Sequence, residues 1–225
     1  MLRPTILALV LLWPFDARAA DCGDDPERGV DWSNCKKTAL ILSGYDLSQS
    51  RFAATDFGGS VLRKAVFEGA DFTKAALGRT NLAGSRAAGA RFSKAEGARA
   101  VFDATDLRQS DFSKAMLPRV SFQGADMSGA SLRKGEFSRA DFREAKLDGV
   151  DLSYANLNRA NFAGASLNGV DLTTSWLYRA NIAGADLSNV TGLTSEQAAA
   201  ACGDASTRLP AGVETPDTWP CGSDD

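Results

Sequence analysis

Large apolar residues return every five positions along most of this chain. From Leu42, steps of five land on Leu47, Phe52, Phe57, Leu62, Phe67, Phe72 and Leu77. The beat holds without insertion or deletion to Leu187, giving 30 centres. Fifteen are Leu and 11 are Phe; the others are Met127, Ile182, Ala87 and Gly97. The residue two before a centre is small, with 16 Ala and eight Ser or Thr. The residue one before is Asp or Asn 14 times. A period of five matches neither the 3.6 of a helix nor the 2 of a free strand. It predicts a chain that turns a corner every five residues. The centre and the small residue point inward, and the Asp or Asn faces out at a turn, where its side chain bonds nearby backbone. Units of this kind cannot bury their apolar side chains alone and are stable only when stacked.

Ala70-Asp71-Phe72-Thr73-Lys74, Ala185-Asp186-Leu187-Ser188-Asn189 and Arg139-Ala140-Asp141-Phe142 show the beat most clearly. The pattern resembles the A-(D/N)-(L/F)-x-x unit of the pentapeptide-repeat family. The resemblance covers residues 40–190, two-thirds of the chain. It implies an all-β solenoid, a right-handed quadrilateral β-helix whose 20-residue coils each take four pentapeptides as sides. Thirty centres would make about 7.5 coils, stacked at about 4.8 Å. The family serves several functions, so the resemblance alone names none. Some members are DNA-shaped topoisomerase inhibitors.

One coil is weak, because its centres are Leu82, Ala87, Phe92 and Gly97. Two opposite sides lack a large side chain, which predicts a soft or bent spot between residues 85 and 100, unless Phe67 and Phe102 lean in.

Outside the repeats the chain changes character. Residues 1–19 read as a secretory signal peptide: Arg3, an apolar run from Thr5 to Trp13, and a small-x-small cleavage site at Ala17-Arg18-Ala19. The apolar run is too short to span a bilayer. This predicts an exported protein, periplasmic or extracellular. All four cysteines avoid the repeats: Cys22, Cys35, Cys202 and Cys221. Four cysteines in an exported chain predict two disulfides, and sequence leaves three pairings open. Proximity favours Cys22 with Cys35 and Cys202 with Cys221. Residues 20–39 are expected as an N-terminal cap, with Val30 and Trp32 covering the open floor. Residues 191–225 are expected as a C-terminal cap closed by Leu193 and Trp219. Thr194 and Gln197 predict a capping box opening a short helix over Glu196 to Ala201, with Gly203 as its C-cap glycine. Gly222 to Asp225 are expected to fray.

Composition narrows the chemistry. The chain has no histidine and a formal net charge of −3. Without histidine the commonest general base and metal ligand are missing. Cysteine spacings of 13 and 19 do not match zinc-ligand pairs. No phosphate loop is present, and the recurring Asp residues are explained as turn formers. The reading is a non-enzyme with no catalytic residues, no cofactor and no metal. The repeats carry 19 basic and 16 acidic residues. That sign, and the signal peptide, oppose the alternative of a DNA-mimicking topoisomerase-binding protein, so no nucleic acid is expected as partner.

The basic residues are not scattered. Two positions after the centre, Lys74, Lys94, Lys114 and Lys134 recur 20 apart on one side. Arg79, Arg99, Arg119, Arg139, Arg159 and Arg179 recur 20 apart on the next. The other two sides carry mostly Gly there, such as Gly44, Gly84 and Gly124, or Gly69, Gly89 and Gly129. Stacked coils would turn each set into a vertical column of like charge. Glu96 and Glu136 are expected to relieve the lysines. The stripe points to an exported interaction scaffold that docks an anionic envelope component or acidic partner.

Overall fold

In a computed structural model of the chain, residues 20–221 are described. The expected signal peptide, 1–19, and the tail, 222–225, lie outside the described residues. A solenoid of short parallel bridges runs through the repeats. From Asp31 to Asn161, residues one before a centre pair with the residue 20 later: Asp46 with Val66, Asp71 with Arg91, Met116 with Glu136. Four bridge columns arise per 20 residues. The bonds repeat as well: Phe72 N donates to Arg91 O at 2.6 Å, and Lys74 N to Ser93 O at 3.0 Å. Every coil thus hangs on the next through its backbone.

The five-residue beat is the inside–outside pattern. Of the centres, Leu47 through Phe92 are fully buried, as are the alanines two before them. Buried hydroxyls at that small position stitch coils together. Thr80 Oγ1 donates to Phe57 O at 2.8 Å and Thr105 Oγ1 to Leu82 O at 3.0 Å. Phenylalanines form ring columns: Phe72, Phe92 and Phe112 stack at 4.8 and 4.5 Å. Phe102, Phe122, Phe142 and Phe162 stack at 5.2, 5.3 and 5.0 Å. The apolar space bounded by Phe162, Leu167, Leu172, Leu177, Ile182 and Leu187 is about 10 Å³. That is hardly room for one water. The axis is filled, and any partner must dock outside.

The outward Asp and Asn close the turns. Asp71 Oδ1 accepts from Thr73 N at 2.9 Å, Asp111 Oδ1 from Ser113 N at 2.8 Å, and Asn161 Oδ1 from Ala163 N at 3.1 Å. These bonds favour the carboxylate form. At Asp106 and Asp141 the bond from Arg108 or Arg143 is the chief cause of a lowered pKa. At Asp46 and Asp186 it is the hydroxyl of Ser48 or Ser188. At Asp71 and Asp126 burial pushes the carboxyl up, but bonds from Thr73 or Ser128 and a nearby cation together outweigh it. Asp204, held first by the Ser206 hydroxyl, falls to about 2. Each group titrates lower folded than unfolded, where Asp sits near 3.8. The stability they add is whole above that value and is lost as pH falls through the lowered ones. Melting temperature should hold from neutral pH to about 5 and fall between about 4 and 2. Calorimetry across that range checks it; a flat profile would show that the turn carboxylates add nothing.

The ladder starts earlier than the expected boundary at residue 40. Asp31 pairs with Arg51 and Lys36 with Asp56. Trp32 takes a centre position, buried on Phe52 at 5.8 Å. Lys37 takes the next. Its ammonium lies 3.7 Å from the Trp32 ring centroid and donates to Cys22 O at 2.8 Å. A lysine at a centre looks like a break in the beat, but its long stem packs while its head closes the floor. Burial pushes its pKa down, and Asp21 and Asp24 offset this only in part, so it stays lowered.

Two disulfides tie the ends, Cys22 to Cys35 with Cα atoms 5.5 Å apart and Cys202 to Cys221 at 5.2 Å. At the C-terminal end α1, Ser195–Ala200, opens on the expected capping box of Thr194 and Gln197. Its C-cap is Ala201 rather than a glycine. Gly203 serves differently: a Cβ there would lie 2.5 Å from the Trp219 ring, so its bareness seats the tryptophan. Trp219 Nε1 donates to Ala201 O at 2.9 Å. The cap also continues the ladder, with Asn181 pairing to Cys202 and Asp186 to Arg208. Replacing both Cys202 and Cys221 by Ser should cost about 3 kcal/mol, the loss for a loop of this size. Urea unfolding checks this, with cap amides exchanging before those of the repeats. Unchanged stability would mean that the cap holds without its bond.

Candidate docking face

Every cation of the two predicted columns stands on a left-handed turn residue. φ is 57–59° at the four lysines and 55–61° at the six arginines. Glycine occupies this conformation freely on the other two sides, whereas an L side chain is strained there by roughly 1–2 kcal/mol. The columns are real stacks. Lys94 N donates to Ser113 O, beside Lys114, and Arg119 N donates to Ser138 O, beside Arg139. By the strand spacing, neighbouring heads in a column start about 4.8 Å apart.

Many cations elsewhere on the surface are treated differently, although Arg63, Lys64 and Arg133 also form no ion pair among the described residues. One before a centre, Arg51 meets Asp31 at 3.0 Å and Arg91 meets Asp71 at 3.2 Å, each a coil below. Arg108 and Arg143 fork onto Asp106 and Asp141 within their own turns. Within the corner columns each cation has its own kind above and below, except at the ends, where Ala54 and Tyr154 flank the lysines and Gly59 precedes the arginines. Among the described residues, Lys74, Lys94, Lys114, Lys134, Arg79, Arg99, Arg119, Arg139 and Arg159 form no ion pair. Arg179, at the end of its column, is half-exposed and has an interaction of its own. Nor do Glu96 and Glu136 neutralise the lysines as expected. Neither forms an ion pair among the described residues, and Glu136 is spent on Asn156 Nδ2 at 2.8 Å and on Ser138 N.

The two columns bound one face. Between the lysine corner and the arginine corner run Ala76, Glu96, Met116, Glu136, Asn156 and Trp176, bridged in sequence. Beside them run Gly78, Ala98, Pro118, Ser138, Asn158 and Tyr178. The middle is small and shallow; Arg79, Arg99, Arg119, Ala98 and Pro118 line an open depression there. At the C-terminal end the face turns aromatic. Trp176 is 63% exposed, Tyr178 56% and Tyr154, which continues the lysine column, 47%. A second depression holds Trp176, Tyr178, Asn158, Thr194 and Glu196. Arg133 and Lys134 lie over the Tyr154 ring at 4.7 and 5.6 Å. Sequence reading found the cations from their 20-residue spacing. It missed the aromatics: Tyr154 follows Lys134 by the same 20 residues, but Trp176 and Tyr178 occupy other positions of the unit and join it only when chain order becomes a face.

Among the described residues, no group of His, Cys, Asp or Glu could hold a metal ion. No helix among them is long and apolar enough to cross a membrane.

Comparison with known proteins agrees with the repeat reading. The family model described as pentapeptide repeats matches in eight copies, over residues 41–77, 77–113, 98–133, 136–173 and 155–191. No curated protein matches the chain. Among solved structures the chain is similar to HetL, a pentapeptide repeat protein involved in heterocyst differentiation regulation from the cyanobacterium Nostoc sp. strain PCC 7120. Identity is 23%, covering 81% of this chain and 84% of that one, with a TM-score of 0.33. It is similar to QnrB1, a plasmid-mediated fluoroquinolone resistance protein, at 23% identity, 81% and 92% coverage and a TM-score of 0.37. A pentapeptide repeat protein of the Arabidopsis thaliana thylakoid lumen shares 26% identity over 60% of this chain and 79% of its own, with a TM-score of 0.37.

Proposed function

Because this chain belongs to the pentapeptide-repeat family, we propose that it is a non-enzymatic interaction scaffold, exported from the cytoplasm, that docks an anionic partner through its two cation columns. The supporting observation is the contrast in pairing. Cations outside the columns often find a carboxylate, while nine in the columns have none among the described residues. An unpaired row of like charge repels itself and is relieved by an anionic ligand. Export rests on the signal-like residues 1–19 and accords with two disulfides, which persist in oxidising compartments. The finer fold of this reading is a right-handed quadrilateral helix of about 7.5 coils. An excess of three positive charges across the repeats disfavours DNA mimicry.

Retention on a sulfated polymer column tests the docking. Wild type should elute at clearly higher salt than a variant with Arg99, Arg119, Arg139 and Arg159 changed to Gln, since exposed charges are screened by salt. Elution of both at the same salt would make the columns ordinary solvated corners. Cell fractionation tests the rest: soluble protein that keeps Met1 in the cytoplasm would overturn export.

A further inference from the structure

The face between the two columns carries more than charge. Six large apolar side chains are exposed among the described residues, and four of them, Met116, Tyr154, Trp176 and Tyr178, belong to this face or its lysine edge. Among the described residues every phenylalanine is spent on the core; the twelve largest fully buried side chains are Trp32 and eleven Phe. Aromatics left outside on one face, at one end, are a recognition feature rather than spillover from the core.

We propose that this face binds a linear acidic polysaccharide of the polyuronate type, laid along the solenoid axis. Its carboxylates would lie against the lysine and arginine edges, and a sugar ring would stack on Trp176 and Tyr178. This rests on the anionic-docking reading above and specifies its partner. Three observations select the ligand. First, the cations recur along one line at about 4.8 Å, a step comparable to one extended 1,4-linked sugar residue. The six arginines span about 24 Å, several sugars long. Duplex DNA presents phosphates at about 3.4 Å per strand and does not match that step. Second, the arginine fork matches a carboxylate through two parallel bonds, and five arginines stand in one column without an ion pair among the described residues. Third, the aromatics sit only at the C-terminal end. A single-stranded nucleic acid calls for aromatic platforms along the whole groove, one for successive bases. A lipid surface calls for several apolar side chains that insert, but the middle of this face offers a single one, Met116, among Gly78, Ala98, Pro118 and Ser138. A sugar ring has an apolar C–H face and polar edges. The Trp176 depression supplies both, with the indole and phenol as walls and Asn158, Thr194 and Glu196 at the rim.

The acids that face the ligand are Glu96 and Glu136 on the face, Glu196 at the rim of the Trp176 depression and Asp141 beyond the arginine edge. Asp141 is held by Arg143, and Glu136 by Asn156. That leaves Glu96 and Glu196 as the carboxylates an incoming chain must pass.

The test uses the full disulfide-bonded chain and four probes: polygalacturonate, neutral dextran, phosphatidylglycerol vesicles and an oligo-dT strand. Polygalacturonate should bind and weaken at least tenfold from low to high salt, while dextran does not bind. Binding should shift tryptophan emission in the unmutated chain, and the shift should belong to Trp176, because among the described residues Trp32 is buried and Trp219 is half-buried in the cap. Trp176→Ala should lose the shift and about tenfold in affinity, but keep the salt dependence. The four-arginine variant should lose the salt-dependent binding. Equal melting temperatures would show that both variants fold. If vesicles or oligo-dT bind and polygalacturonate does not, anionic docking stands and the polysaccharide assignment falls. The same holds if Trp176→Ala binds polygalacturonate as wild type does. If the unmutated chain binds no anionic probe at low salt, both readings fall.

Discussion

Truncating Phe92 to alanine should destabilise the protein by about 3–5 kcal/mol, among the largest losses for any single core residue. Phe92 stacks face to face on Phe72 at 4.8 Å and on Phe112 at 4.5 Å, and meets Phe102 edge-on at 5.4 Å. It joins two ring columns in the coil least able to spare it. The other centres of that coil are Leu82, Ala87 and Gly97, so only one of them carries a large side chain that could swing into the hole. The cost of a truncation depends on how far the site can collapse. Coils above and below are pinned by backbone bonds such as Phe92 N to Asp111 O at 2.6 Å, which limits collapse further. Phe162→Ala is the control. Its ring has Phe142 as an aromatic neighbour at 5.0 Å and is otherwise surrounded by pliable leucines, so it should lose less. Urea unfolding of both variants checks the order. Equal losses would show that the weak coil collapses as freely as the rest.

Gly97→Leu restores the commonest centre residue and should nevertheless destabilise. By the beat alone, Gly97 is a defect and leucine a repair. In the structure the backbone has closed onto it. A Cβ at this position would lie 2.4 Å from Gly78 N and 2.5 Å from the Leu77 carbonyl carbon. Both are backbone atoms of the coil below and cannot swing away. Its φ of 151° also disfavours an L side chain. Overpacking costs about 1–3 kcal/mol, and a strained backbone position about 1–3 more. The expected soft spot takes a particular form here. The ladder continues through Ala76, Glu96 and Met116. Among the described residues, the turn bond that links Ala95 N to Phe92 O has no equivalent from Ala100 N to Gly97 O. A raised melting temperature for Gly97→Leu would show that the close approach is relieved at little cost.

Much of this molecule is legible in its residues because its contacts are periodic. A residue's neighbours lie 20 positions away on either side, so one rule repeated along the chain determines most of the core. The beat marks which side chains are buried, and the Asp or Asn before each centre marks a turn it closes itself. The Thr194 and Gln197 box is equally local and was legible for that reason. Cysteine proximity favoured the observed pairs because a long solenoid keeps its ends apart. Where the period fails, tertiary structure decides. Trp32 and Lys37 join the register because a cap closes beneath them, which no local rule predicts. From sequence, Gly97 reads as a weak centre and Gly203 as a C-cap glycine. One admits the backbone of the coil below and the other a tryptophan ring, and only packing shows either role. The sequence alone placed the cations in columns. Only the folded solenoid left those columns unpaired and brought Tyr154, Trp176 and Tyr178 onto the face they enclose, since pairing and adjacency are properties of neighbouring coils.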